Sequence, residues 1–292
     1  MRELSDHFLQ DLKSGFLSGL MARVHQDPDL DLEIRQDYLN IYYKGNSLLK
    51  LQEIHPGQYR VVIHPKLSGN TQFQDLTGQA TADLFLAQIP QIKENIIQHG
   101  KSSLEIEYEQ LIIRANNCES RNNSEYFIVD RQVTAGKAGR FDLTGFYWPR
   151  KGRRRDQVVS ACLFEVKFAL NRDIQDVHQQ LERYYQAVKE RPDEIAAQTQ
   201  TMLRQKLELG LFKQPPERLA ALKTLTLSPD LNNYRFILLL VDYNPNSQLF
   251  ARSTLARLPF ASQVRVLHTG FALWDSNLLP VQKLNDQHGG RG

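Results

Sequence analysis

The N-terminal third of the chain changes from a helical to a strand-like pattern of apolar positions. Apolar residues recur at helical spacing over residues 8–20, which predicts an amphipathic helix. Over residues 30–66, short apolar and aromatic runs are separated by turn residues such as Gly45-Asn46, which predicts a β-meander. Another helix is predicted over Ile89–His99, before a glycine. We therefore expect residues 1–100 to form a β-rich subdomain that opens with a helix.

From residue 101 onward the pattern predicts alternating helices and strands. Its first part is a helix, three successive strands and a second helix. A third helix, ended by Pro215-Pro216, then precedes a buried strand, a short helix and a last strand. These elements predict an α/β fold in which helices flank a mixed central sheet, spanning residues 101–285, with residues 286–292 as a disordered tail. The predicted strands are 126–130, 139–148, 158–168, 234–242 and 264–267, and the predicted helices lie near 104–114, 174–188, 193–211 and 249–258.

Two charged side chains interrupt the apolar strand predicted at residues 158–168. Because side chains alternate between the faces of a strand, Glu165 and Lys167 project together while Phe164 and Val166 project toward a core. Burying such charges is costly unless they pair, bind metal or act on a ligand. The alternative is an ordinary salt bridge on a half-exposed edge strand.

A third charged residue, Asp142, lies in the preceding aromatic-rich strand. If the two strands form a hairpin, Asp142 comes beside Glu165. Two carboxylates at close range repel each other unless a hard divalent cation such as Mg²⁺ lies between them. Such a cation polarises a phosphate and lowers the pKa of a bound water molecule. If Asp142 is instead a turn carboxylate, no metal site follows.

Three short motifs occur in order between residues 139 and 184: Gly139-Arg140-Phe141-Asp142, then Glu165-Val166-Lys167, then Gln180-Leu181-Glu182-Arg183-Tyr184. In this order and spacing they resemble the PD-(D/E)xK nuclease superfamily, and in particular its RecB- and Cas4-type branch. The resemblance covers roughly residues 103–190. It implies a restriction-endonuclease-like core and a metal-dependent phosphodiesterase that acts on DNA more than on RNA.

The resemblance also implies roles for individual residues. Asp142, Glu165 and the main-chain carbonyl of Val166 would bind Mg²⁺ or Mn²⁺, and Lys167 would orient or activate the attacking water. Gln180 and the tyrosine at i+4 would lean toward the strands from one helix face, although ordinary amphipathic packing is an alternative for this pair.

The first core helix would supply a further catalytic residue. The RecB-type branch usually places a histidine there, whereas Leu104–Arg114 offers only carboxylates. Glu107 shares a face with Leu104 and Leu111 and is our first choice, with Glu109 second. A solvated acidic helix face is the alternative.

Positive charge is concentrated in the part of the chain that carries the motifs. Residues 1–100 hold 9 Lys and Arg against 12 Asp and Glu, and the remainder holds 27 against 21. The densest cluster lies in the turn between the two charged strands, where we expect it to reach beyond the carboxylate pair and neutralise phosphates. A solubilising hairpin tip is the alternative. The candidate nucleic-acid contacts are Arg150, Lys151, Arg153, Arg154, Arg155 and Tyr184.

Composition narrows the remaining classes of protein. No apolar stretch is long enough to span a bilayer, no signal peptide is recognised, and two cysteines cannot build a disulfide framework. We therefore expect a cytoplasmic protein with a nucleic-acid partner and no membrane partner. A homodimer is left open, since the N-terminal subdomain could contact substrate, cap the site or mediate oligomerisation. A catalytically inactive nucleic-acid-binding module and an assembly subunit remain the alternative functions.

Overall fold

The computed structural model contains two β-sheets joined by helices. A four-stranded sheet comes first, and a larger sheet with both parallel and antiparallel pairs follows. No helix in the described part of the chain is long and apolar enough to cross a membrane. The structure describes residues 2–69, 73–100, 104–134, 139–153, 155, 157–168, 172–247, 250 and 252–271.

The helices and strands are numbered in chain order. The helices are α1 Asp6–Lys13, α2 Ser18–Gln26, α3 Pro65–Ser68, α4 Gln79–Leu86, α5 Ile89–His99, α6 Leu104–Asn117, α7 Val177–Glu190, α8 Pro192–Glu208, α9 Pro216–Thr224 and α10 Arg252–Ala256. The strands are β1 Leu30–Ile34, β2 Tyr38–Tyr43, β3 Asn46–His55, β4 Gln58–Val62, β5 Tyr126–Thr134, β6 Arg140–Tyr147, β7 Val158–Phe168, β8 Thr226–Leu227, β9 Arg235–Val241 and β10 Val264–Thr269.

The N-terminal sheet is an antiparallel meander in the order β1-β2-β3-β4, as the sequence predicts. The turn between β2 and β3 lies one residue earlier than expected, because Tyr43 pairs with Asn46 and the turn residues are Lys44 and Gly45. Their φ angles are 44° and 73°. A two-residue hairpin turn of the favoured twist requires positive φ at both positions, which the glycine adopts without strain.

The larger sheet has the order β10-β9-β7-β6-β5, with β8 paired to the start of β7. Strands β5, β6 and β7 are antiparallel neighbours, whereas β7, β9 and β10 run parallel. The predicted mixed sheet flanked by helices is therefore confirmed. The sequence did not predict α3, α4, α9 or β8, and the single helix predicted over residues 8–20 is divided into α1 and α2. The tail predicted at 286–292 lies outside the described residues.

The two faces of the mixed sheet are packed separately. On one face, Leu163 of β7 belongs to the main core, which also contains residues of α7, α8 and the N-terminal meander. On the other face, Phe164 and Val166 pack with Ile112 and Ile113 of α6. The alternation predicted for β7 is therefore confirmed. A continuous apolar core also joins residues 1–100 to the rest of the chain.

Candidate functional site

Asp142 and Glu165 lie side by side on neighbouring strands. The antiparallel β6–β7 ladder ends with Leu143 opposite Phe164, and Asp142 and Glu165 are the residues that come next to this last pair on the two strands. The two residues are only 9% and 2% exposed. The predicted hairpin and the predicted closeness of the two carboxylates are both confirmed.

Each carboxylate is held by a different set of neighbours. The main-chain N–H of Val166 donates to Asp142 Oδ2 at 2.8 Å. Lys167 Nζ lies 2.6 Å from Glu165 Oε1. The other oxygen, Glu165 Oε2, lies 2.6 Å from the Tyr184 hydroxyl, which can donate to it. In this geometry Glu165 and Lys167 form a buried ion pair, while Asp142 receives no cationic partner at hydrogen-bond distance among the described contacts.

Helix α6 adds two more carboxylates to Asp142. One oxygen each from Glu105, Glu109 and Asp142 lies within 4.8 Å of the others. Glu109 is 2% exposed, whereas Glu105 is open to solvent. The two glutamates share a helix face because they are four residues apart.

Burial and like charge make this cluster unfavourable when it is fully ionised. Burial, and then the neighbouring Glu165, raise the pKa of Asp142 to about 8. Burial likewise raises the pKa of Glu109 to about 7, against the opposing effect of Arg131. Carboxylate oxygens are the ligands that Mg²⁺ and Mn²⁺ prefer, and a divalent cation would offset their mutual repulsion. The donor set therefore fits a hard divalent cation.

Helix α7 brings one of its two predicted residues into direct contact with Glu165. Tyr184 is buried and its hydroxyl also lies 2.6 Å from the main-chain oxygen of Arg140 at the start of β6. Gln180 is half-buried one turn earlier, and its Oε1 is buried without a hydrogen-bond partner among the described residues. Tyr184 therefore fixes Glu165, and the Gln180 acceptor is unused within the part of the chain that the structure describes.

Glu107, the first choice from the sequence, faces away from this cluster. It lines a cavity of about 280 Å³ on the other side of α6, together with Arg114 and residues of the N-terminal part. Leu104 and Leu111, which share the helix face of Glu107, are 64% and 44% exposed, so this face is not packed against the sheet. Glu109, the second choice, occupies the expected position, and Glu105 was not anticipated.

The basic turn lies at the opposite end of the hairpin from the carboxylates, contrary to expectation. The ladder runs from Leu143 opposite Phe164 to Tyr147 opposite Ser160, and the turn follows Tyr147. Asp142 is five residues before Tyr147, or about 17 Å along an extended strand. The turn therefore does not extend the carboxylate end, and any contact that it makes with nucleic acid would be at a distance from the site.

The basic residues of this turn have different environments. The Arg153 guanidinium donates to Asn123 Oδ1 at 2.6 Å and to the main-chain oxygen of Ser124, and it lies 5.2 Å from the Trp148 ring centre. Burial, followed by the nearby Arg218, lowers the pKa of Arg153. Arg153 thus ties the turn to the preceding loop. The exposed members are Arg150, Lys151 and Arg155, while Arg154 lies outside the described residues.

Comparison of the chain with family models, with curated proteins and with solved structures finds no match. The interpretation of the site therefore depends on its own geometry and on the motifs in the sequence.

Proposed function

We propose that this chain is a metal-dependent nuclease that hydrolyses phosphodiester bonds, with DNA preferred to RNA as the substrate. The observation that carries the proposal is the facing pair of buried carboxylates, Asp142 and Glu165, with Lys167 beside them. The strand order of the mixed sheet is compatible with a restriction-endonuclease-like core, which is part of the same proposal.

The residues that would hold Mg²⁺ or Mn²⁺ are Asp142, Glu165 and Glu109, with Glu105 at the solvent side. When bound, such a cation would stabilise charge on a phosphate and lower the pKa of a water molecule. Glu105, being exposed, marks the side from which a cation and a substrate can enter.

The protein's own groups have separable roles around that centre. The Val166 N–H donates to Oδ2 of Asp142 and fixes the position of that carboxylate. Tyr184 holds Glu165 through its hydroxyl. Lys167 Nζ is anchored by Glu165 Oε1 at 2.6 Å, and its remaining N–H groups can orient a water molecule or a phosphate oxygen.

The direct test is cleavage of supercoiled plasmid DNA by the purified chain, with Mg²⁺ or Mn²⁺ and with EDTA. We expect nicking only with the metal, and a loss on the order of 100-fold or more in Glu165→Gln. Glu208→Gln is the matched control, because Glu208 is exposed and pairs only with Lys13 among the described contacts.

The outcome also separates the alternative functions. Nicking that persists at the wild-type rate in Glu165→Gln would show that the assigned site is wrong. Retention of DNA without metal-dependent cleavage would instead favour the inactive binding module. Single-stranded and duplex RNA, tested under the same conditions, establish the substrate preference.

A further inference from the structure

Arg131 of β5 connects the N-terminal sheet to the acidic cluster. It is completely buried between the two sheets. Its guanidinium carbon lies 3.8 Å from the ring centre of Tyr42 on β2. Its Nε lies 3.6 Å from Asp31 Oδ2 on β1, and its Nη1 lies 3.6 Å from Glu109 Oε2 on α6. A single side chain thus spans from two strands of the meander to a carboxylate of the candidate site.

Packing alone does not account for an arginine at this position. Among the described residues, none of its three guanidinium nitrogens has a hydrogen-bond partner, and neither does Glu109 Oε2. Burying a guanidinium group without hydrogen bonds is costly, and an apolar side chain of similar volume could fill the space without that cost. The charge is therefore expected to serve a purpose at the carboxylates that it faces.

Asp130, the residue before Arg131 on β5, forms its ion pairs with other arginines. A β-bulge between Ile128 and Asp130 shifts the register of β5, and both Asp130 and Arg131 are buried. Asp130 pairs with Arg35 at 2.7 Å and with Arg2 at 2.6 Å. Arg131 is thus left to face Asp31 and the acidic cluster.

We infer that Arg131 is a positioning residue: held by Tyr42 and Asp31, it keeps the Glu109 carboxylate beside Asp142 and thereby strengthens divalent-cation binding. This inference rests on the proposed function of the site. It makes the N-terminal sheet a part of the site, because two of the groups that hold Arg131 belong to that sheet.

The positive charge of Arg131 provides an internal check on this role. If the guanidinium acted only through its charge, it would repel a cation, and its removal would tighten metal binding. If it orients Glu109, its removal weakens metal binding, as the loss of residues that orient metal ligands typically does, by about 10–100-fold. The sign of the change distinguishes the two roles.

The test is calorimetric titration of Mn²⁺ into the full chain in the absence of nucleic acid. We expect Arg131→Met to weaken Mn²⁺ binding about tenfold. Arg35→Met is the matched control: Arg35 is also a buried arginine between the two sheets, but its ion pairs are with Glu33 and Asp130. It should lower thermal stability and leave the Mn²⁺ affinity unchanged.

Two further variants make the test specific. In a Glu109→Gln background, Arg131→Met should cause no additional loss of affinity, because the carboxylate that it positions is gone. If Arg131→Met does not fold, Tyr42→Leu removes the ring beneath the guanidinium and keeps the charges. We expect Tyr42→Leu to weaken Mn²⁺ binding several-fold, by the same loss of orientation.

Unchanged or tighter Mn²⁺ binding in Arg131→Met would overturn the inference, as would equal losses in Arg131→Met and Arg35→Met. If Arg131→Met does not fold, unchanged Mn²⁺ binding in Tyr42→Leu overturns the inference. A wild-type chain that binds no Mn²⁺ contradicts the proposed function and this inference together. Wild-type binding with no effect of Arg131 contradicts the inference alone.

Discussion

The two ends of the β6–β7 hairpin both carry clustered charge, but the charges have opposite environments. At the free end, Asp142 and Glu165 are buried next to each other and burial raises the pKa of Asp142 to about 8. At the turn end, Arg153 finds acceptors in the adjacent loop, and Lys151 is exposed. Buried charges of the same sign that lie close together indicate a functional site, because the fold alone does not require them. Exposed charges, and charges paired with nearby residues, are explained by solubility and local structure.

The largest difference between the two ends should appear in cleavage. Asp142→Asn removes one charge from the cluster, and we expect loss of plasmid nicking on the order of 100-fold or more. The fold should be retained or stabilised, because a repulsive buried carboxylate is gone. Nicking rates and thermal denaturation in EDTA measure the two effects. A variant that loses cleavage only because it unfolds would contradict the contrast.

Lys167 lies at the carboxylate end of the hairpin, and its replacement should affect the turnover rate and the DNA affinity differently. Lys167→Met should lower the turnover rate about 100-fold while changing DNA affinity little, because its proposed role is at the attacking water. Single-turnover kinetics with a labelled duplex separate the two quantities. Lys189→Met, an exposed lysine of α7, is the control. Equal losses of rate and affinity would make Lys167 a phosphate anchor instead.

The pH dependence of stability should also originate at the carboxylate end. The pKa of Asp142 rises from 3.8 to about 8 on folding, so the folded state binds this proton more tightly than the unfolded chain. The free energy of unfolding in EDTA should therefore fall as the pH rises from about 4 to about 8. Asp142→Asn should make this decline shallower.

The remaining decline in Asp142→Asn should come in part from Glu109, whose pKa is raised from 4.5 to about 7. Urea denaturation across this pH range measures the slopes. The exposed Asp29→Asn serves as the control and should keep the wild-type slope. If the curves of unfolding free energy against pH are parallel for the wild type and Asp142→Asn, the pKa of Asp142 is not raised by folding.

The smallest effects should come from the turn. Replacing its exposed cations, Arg150, Lys151 and Arg155, with alanine should weaken DNA binding and flatten the dependence of log K on log salt by about 0.9 per lost phosphate contact. Cleavage at saturating DNA should survive, because the carboxylates are far away. Unchanged affinity and salt slope would assign the turn to solubility alone.

Arg153 should behave differently from its exposed neighbours. Arg153→Ala removes the donor to the main-chain oxygen of Ser124 and one of two donors to Asn123 Oδ1, which keeps Arg218 at 3.1 Å. We expect a loss of about 1–2 kcal/mol in the free energy of unfolding. Its effect on the salt dependence of DNA binding should be small. Chemical denaturation and fluorescence titration at several salt concentrations provide both values. A salt slope that changes without loss of stability would identify Arg153 as a phosphate contact.

Much of the fold could be predicted because strand alternation and turn residues are local signals. The Asp142–Glu165 pair followed from a hairpin in which both residues lie far from the turn. The same hairpin places the basic turn at the end opposite to these two residues, so the position of the turn also follows from the sequence. The sequence was therefore sufficient to predict which end of the β6–β7 hairpin carries the carboxylates and which end carries the basic residues.

Other features depended on tertiary packing that no local pattern reveals. In α6, apolar residues occur on several sides, and the exposed Leu104 and Leu111 led to Glu107 rather than Glu109. Arg131 lies one residue beyond the strand predicted at 126–130, and its burial depends on contact between sheets whose strands are about 90 residues apart in sequence. Contacts of this kind could not be predicted from spacing.

Anomalous diffraction from crystals soaked in Mn²⁺ tests the central claim most directly, because it locates the cation without requiring turnover. We expect a Mn²⁺ peak in contact with Asp142 and with at least one of Glu165 and Glu109. The absence of a peak at Asp142 under saturating Mn²⁺ would contradict the account. So would a peak only in the cavity on the other side of α6, where Asp29 and Glu107 also offer carboxylates.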